Sequence, residues 1–101
     1  MSSALIVRFD IVRDHHGAFL SAVQANAARS VAEEPGCVRF DVLTPLVNRV
    51  PRCCCTRFYT DPAAFDHHLT TEHYHDYDAG TRGLVLSKTV TFLAVSENAK
   101  T

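Results

Sequence analysis

Three features of this 101-residue chain predict an α+β domain, an antiparallel sheet with helices on one face. Side chains alternate in character near residues 5–12 and 37–43, as strands require, and 52–60 and 84–95 read as two further strands. Between the first two of these stretches, apolar residues recur every four positions, as a helix requires. An Asp-Pro step at 61–62 then opens a second helical stretch ahead of the last strand. The order is βαββαβ, uninterrupted by a repeat or low-complexity linker, so residues 1–101 read as one domain with its core at about 5–95.

The first strand spans Leu5 to Val12, with Leu5, Val7, Phe9 and Ile11 set against Arg8 and Asp10. A helix starts at Asp14 or His15 and runs to about Glu33, its apolar stripe formed by Phe19, Val23, Ala27 and Val31. Pro35 and Gly36 stop it, and the pair Glu33–Glu34 reads as its end rather than as an acid pair. In the second strand, Cys37 to Leu43, Val38, Phe40 and Val42 share one face and Arg39 and Asp41 the other. After a turn across residues 44–51 comes the third strand, Arg52 to Thr60. There Cys53, Cys55, Arg57 and Tyr59 oppose Cys54, Thr56 and Phe58, and polarity does not say which face is inside.

Asp61 caps a helix from Pro62 to about Leu69, because its carboxylate accepts an early backbone N–H and proline suits the first turn. Thr70 and Thr71 interrupt it and start a short segment through Tyr77; Gly80 and Gly83 then release the chain into the strand Leu84 to Val95. With both helices on one side, this is a ferredoxin-like pattern. The other sheet face, carrying residues such as Ile6, Cys54 and Leu93, is expected to be covered by a second copy in a homodimer.

Composition excludes several functions. Hydrophobic residues make up 47% and charged residues 21%, and the net charge of −1 contains no long block of one sign. Nucleic acid and membrane surfaces are therefore not expected partners, and the chain reads as cytoplasmic. Cys53, Cys54 and Cys55 are consecutive, with no second cysteine pair, so they and Cys37 are expected as reduced packing residues rather than disulfides or a zinc site.

The stretch FDHHLTTEHYHDYD, residues 65–78, concentrates the histidines. On a continuous helix His68 and His75 would share a face about 10 Å apart, too far for one ion. His68 and Glu72 form the one close ligand-like pair, so a metal is not expected. His67 and His75 read as solvated helix residues.

EEPGCVRFDV, then FYTDPAAFDHHLTTEHYHDY and a final strand beginning LVLSKTV, together resemble the antibiotic biosynthesis monooxygenase domain family, also called quinol monooxygenase-like. The resemblance extends from about Ile6 to Phe92. It implies a dimeric ferredoxin-like α/β barrel and a small aromatic or enol-like substrate, often oxidised by oxygen without flavin, haem or metal. Some members instead isomerise a phosphorylated diketone, autoinducer-2 phosphate. The family pattern carries over to Asn26, Phe40, Asp41, Tyr59, His68 and His73. It departs at Arg57, where many relatives have glutamate, exchanging an acceptor for a permanent cation.

The chemistry so implied is cofactor-independent oxidation of a quinol or enolisable aromatic. His68 or His73 would be the base, Arg57 the oxyanion stabiliser, and Asn26, Phe40, Asp41 and Tyr59 the substrate-binding residues. An isomerase would need Arg57 with Arg8 or Arg39 as a phosphate clamp. A non-catalytic module binding a small ligand is the third reading.

Overall fold

A computed structural model describes residues 2–46 and 50–96. The element order is β1 (Ser3–Ile11), a 3₁₀ turn (Arg13–His15), α1 (His16–Glu33), β2 (Cys37–Leu43), β3 (Arg52–Tyr59), α2 (Pro62–His68), α3 (Glu72–Thr81) and β4 (Val85–Ala94). The expected turn across 44–51 includes residues 47–49, which lie outside the described residues.

The four strands form one antiparallel sheet in the order β2-β3-β1-β4, the ferredoxin-like arrangement the sequence predicts. Register decides what the alternation in β3 could not. Leu5, Val7 and Phe9 pair with Arg57, Cys55 and Cys53, and all six are buried, so the face of β3 that carries the arginine is the inner one. An irregularity between Cys37 and Arg39 throws Val38 outward and leaves Phe40 opposite Arg57 on the same inner face.

The helices lie over β1, β2 and β3. Phe19 of α1 packs its ring 4.9 Å from that of Phe9 and 6.2 Å from that of Tyr77 in α3. Its buried residues are Phe19, Val23, Asn26, Ala27 and Ser30, whereas Val31, expected to close the stripe, is exposed. The reason is the helical pitch. Each step of four residues advances the direction by about 40°, so three steps from Phe19 reach about 120°, while Asn26 and Ser30 fall within about 20° of it. Two polar residues consequently face the sheet.

Glu34 is the first extended residue after α1, as expected before a proline. Gly36 follows at a close approach: a Cβ there would lie 2.5 Å from the Cβ of Ala64 in α2. Asp61 caps α2 through the N–H of Ala64, at 2.9 Å, as expected. The predicted break at the two threonines is also present. The Thr70 and Thr71 hydroxyls donate to the carbonyls of His67 and His68, both at 2.7 Å, and the Thr71 oxygen accepts from the N–H of Tyr74, capping α3. Helix α3 continues past the expected end at Tyr77 to Thr81, with Gly80 in its last turn.

Candidate active site

The break between α2 and α3 is what assembles the polar cluster. It places His68, last residue of α2, and His73, second residue of α3, around the carboxylate of Glu34. His68 Nδ1 is 2.8 Å and His73 Nε2 is 2.5 Å from the same oxygen, Glu34 Oε2. All three side chains are buried.

The proton positions follow from the partners. A carboxylate only accepts, and the Ser30 hydroxyl spends its proton on the Asn26 carbonyl at 2.7 Å, so the Ser30 oxygen, 3.4 Å from His68 Nδ1, can only accept as well. His68 Nδ1 therefore carries a proton. Burial pushes the His68 pKa below its ordinary value against the opposing pull of Glu34, which favours the neutral ring. Its Nε2 is then a lone pair, buried and without a hydrogen-bond partner among the described residues. Burial tends to raise Glu34, but the hydrogen bonds from His68 and His73 outweigh it and hold the carboxyl below its usual range. The arrangement is an imidazole oriented by a carboxylate, with its basic nitrogen free.

Around His68 lie the rings of Tyr74, Tyr59, Phe65 and Phe40, with centroids between 5.1 and 6.4 Å away. Arg57 reaches into the same region, its guanidinium carbon 4.4 Å from the centre of the Phe40 ring. Several polar atoms here have no hydrogen-bond partner among the described residues: both amide atoms of Asn26, Arg57 Nε, the Tyr59 hydroxyl, Glu34 Oε1 and His68 Nε2. Each such group, if dry, costs about 1–3 kcal/mol, and folded proteins keep few. Burial raises the pKa of the Tyr59 hydroxyl, with the Arg57 charge opposing, so it remains a neutral donor. An open cleft of about 320 Å³ lies beside Leu5, Phe65 and Phe92, and another of about 270 Å³ beside Tyr59; His68, Arg57 and Asn26 line neither.

Six of the seven predicted site residues converge on the inner face: Asn26, Phe40, Arg57, Tyr59, His68 and His73. Asp41 does not. It lies on the opposite sheet face, where it accepts from Arg39 at 2.7 Å and from Thr56 at 3.4 Å, because strand alternation separates it from Phe40. Arg8 and Arg39 are on that outer side too, so neither joins Arg57 to form the phosphate clamp. His67 and His75 are exposed, as expected.

Glu34 and Ser30 were not anticipated. The pair His68–Glu72 does not form, since Glu72 is exposed, and the donor set is instead Glu34, His68 and His73, whose candidate ligand atoms lie within 4.8 Å of one another. Donors around a tetrahedral zinc at about 2.0–2.1 Å stand roughly 3.4 Å apart. The 2.5 and 2.8 Å separations are hydrogen-bond distances, so a cation would have to spread the trio and displace its protons.

Residues 3–80 match the family model described as antibiotic biosynthesis monooxygenase. Among solved structures, the chain is similar to Rv0793 from Mycobacterium tuberculosis, with 25% identity over 99% of this chain and 100% of that one and a TM-score of 0.85. PA3566 from Pseudomonas aeruginosa shares 22% identity over 95% of each chain, with a TM-score of 0.85. A Nitrosomonas europaea protein, named as a candidate antibiotic biosynthesis monooxygenase, shares 22% over 93% of this chain and 89% of its own, with a TM-score of 0.86. No curated protein matches the chain. The motifs, the ferredoxin-like sheet and the family match over most of its length agree: this chain belongs to the antibiotic biosynthesis monooxygenase family.

Proposed function

We propose that the protein is a cofactor-independent monooxygenase that oxidises a small quinol or enolisable aromatic with molecular oxygen. The observation that carries this reading is the buried, unpartnered Nε2 of His68, held by Glu34 as a proton acceptor among aromatic rings. In this scheme His68 takes a proton from a hydroxyl or an acidic carbon. The resulting anion gives one electron to oxygen, and the radical and superoxide combine as a peroxide at carbon. At a methylene carbon, loss of water then leaves a carbonyl, so one O₂ is consumed and one water released. Arg57 and the Tyr59 hydroxyl stabilise negative charge on the substrate oxygen, Asn26 orients it, and Phe40 packs on its ring. His73 relays the proton by way of Glu34.

The active unit in this proposal is a homodimer. The helices stop short of β4, leaving Leu86, Val90, Phe92 and Leu93 exposed, with Phe92 at 65% although its ring lies only 5.6 Å from that of Phe65. A second copy would cover this strand together with the open sheet face and close the cavity next to Phe65. Light scattering should give twice the chain mass at micromolar concentration.

The direct test is oxygen uptake by the protein with a panel of quinols, before and after dialysis against a chelator, alongside elemental analysis. Uptake that survives the chelator, at far below one metal per chain, is expected. Activity that vanishes with the chelator and returns with one cation would replace this scheme by a metal-dependent one at Glu34, His68 and His73.

A further inference from the structure

Arg57 is the one buried lysine or arginine among the described residues, at 4% exposure, and it pairs with no carboxylate there. Arg29, Arg39, Arg52 and Arg82 all find acidic partners at the surface. A guanidinium cannot discharge itself by losing a proton at ordinary pH, and a buried ion without a counter-charge costs several kcal/mol. The Phe40 ring covers a face of the guanidinium but accepts none of its in-plane N–H groups, and Nε is left unpartnered. Glu34, the one buried carboxylate among the described residues, directs one oxygen to the two histidines and leaves the other without a partner there, so it forms no ion pair with Arg57.

We propose that the ligand of this site carries a carboxylate, and that Arg57 binds it in the ground state. This deepens the monooxygenase reading by naming the substrate class, and rests on that reading only in taking the cluster as a substrate site. A planar carboxylate matches the paired N–H groups of a single guanidinium. A phosphate dianion fits less well, because Arg8 and Arg39 stand on the other sheet face and supply no second charge. The Tyr59 hydroxyl, two residues along the same strand face, offers a further donor. A carboxylate takes two of the five guanidinium N–H groups, sets an aromatic ring against Phe40, and leaves the other donors and His68 to the ring oxygen beside it. The internal competitor for Arg57 is Cys55, also on the inner face. Its thiol is pulled down first by the Cys53 thiol and further by the Arg57 charge, against burial.

The test is calorimetric binding of 2,5-dihydroxybenzoate, hydroquinone and phenyl phosphate to the full chain and to Arg57→Met, with melting temperatures of both proteins and of Cys55→Ala without ligand. Charge-assisted hydrogen bonds predict that the parent binds 2,5-dihydroxybenzoate at least about tenfold tighter than hydroquinone. Arg57→Met should erase that preference, keep hydroquinone binding, and melt no lower than the parent, since it removes an uncompensated charge while keeping the apolar stem. Equal binding of the two quinols by the parent, a preference that survives Arg57→Met, or tighter binding of phenyl phosphate would each overturn the proposal. So would matched losses of melting temperature in Arg57→Met and Cys55→Ala, the mark of an internal ion pair. Binding is read without turnover, which keeps the two readings separable. Arg57-dependent binding without oxygen uptake sinks the monooxygenase and supports the carboxylate site, whereas uptake with hydroquinone and no carboxylate preference does the reverse.

Discussion

Two groups of buried polar side chains lie beneath the helices, and they are satisfied to different degrees. Glu34, His68, His73 and Ser30 are tied to one another by short contacts across α1, α2 and α3. Asn26, Arg57 and Tyr59, on α1 and β3, keep side-chain atoms without a hydrogen-bond partner among the described residues. The first group behaves as a frame: its hydrogen bonds join α2 and α3 to the end of α1 and fix which way the His68 ring turns. The second keeps polar atoms that nothing among the described residues satisfies, and it is the group the proposed function assigns to the substrate. His68 belongs to both, with Nδ1 in the frame and Nε2 in the open set.

The contrast can be broken most forcefully at Glu34. Replacing it by alanine leaves His68 Nδ1–H with the 3.4 Å Ser30 contact alone and takes away the partner of His73 Nε2. A loss of about 3–5 kcal/mol in urea unfolding is expected, together with most of the activity. A cost below about 1 kcal/mol would mean that the trio is not the frame.

Gly36→Ala attacks the same frame from the backbone. The added methyl meets Ala64 Cβ at 2.5 Å, backed by the α2 backbone, so α2 must shift and carry His68 with it. About 1–3 kcal/mol of destabilisation is expected, with activity falling further than at a surface site of equal cost. An alanine variant as stable and as active as the parent would show that α2 has room to move.

A smaller effect is the pH dependence of stability. His68 has its folded pKa depressed below 6.5, so the unfolded chain takes up that proton first as pH falls. Stability from this group is complete above about 6.5 and is lost as pH drops through the lower folded value. Glu34, depressed below 4.5, adds a second loss at still lower pH. Melting curves from pH 8 to 4 should be level at first and then decline from about 6.5. In His68→Gln the first decline should shrink. An unchanged profile in that variant would assign the decline elsewhere.

Much of this was legible in the chain. Alternation located β1 and β2, Asp61-Pro62 located α2, and the paired threonines located the break that separates the histidine-bearing segments. What escaped has two physical origins. In β3 the cysteines and threonine are similar in size and polarity on both faces, so only pairing with β1 could reveal that Arg57 points inward. Glu34 stands 34 and 39 residues from its two histidines, beyond any local spacing rule, and at a helix end it looks like a solvated acid. The usable signal was Pro35, which forces Glu34 out of the helix into an extended conformation. Asp41 illustrates the converse: adjacency to Phe40 in sequence placed it on the opposite face.

The most direct test of the account compares His68→Gln with His67→Gln, measuring melting temperature and oxygen-dependent quinol consumption with no flavin or metal added. His67 is the control because it is exposed on the same helix, about 100° away from His68. Glutamine at 68 can donate to Glu34 but cannot act as a base near neutral pH. The account predicts that His68→Gln loses turnover by roughly 10²-fold or more while remaining folded, and that His67→Gln matches the parent. Wild-type turnover in His68→Gln, or equal losses in both variants, would contradict it.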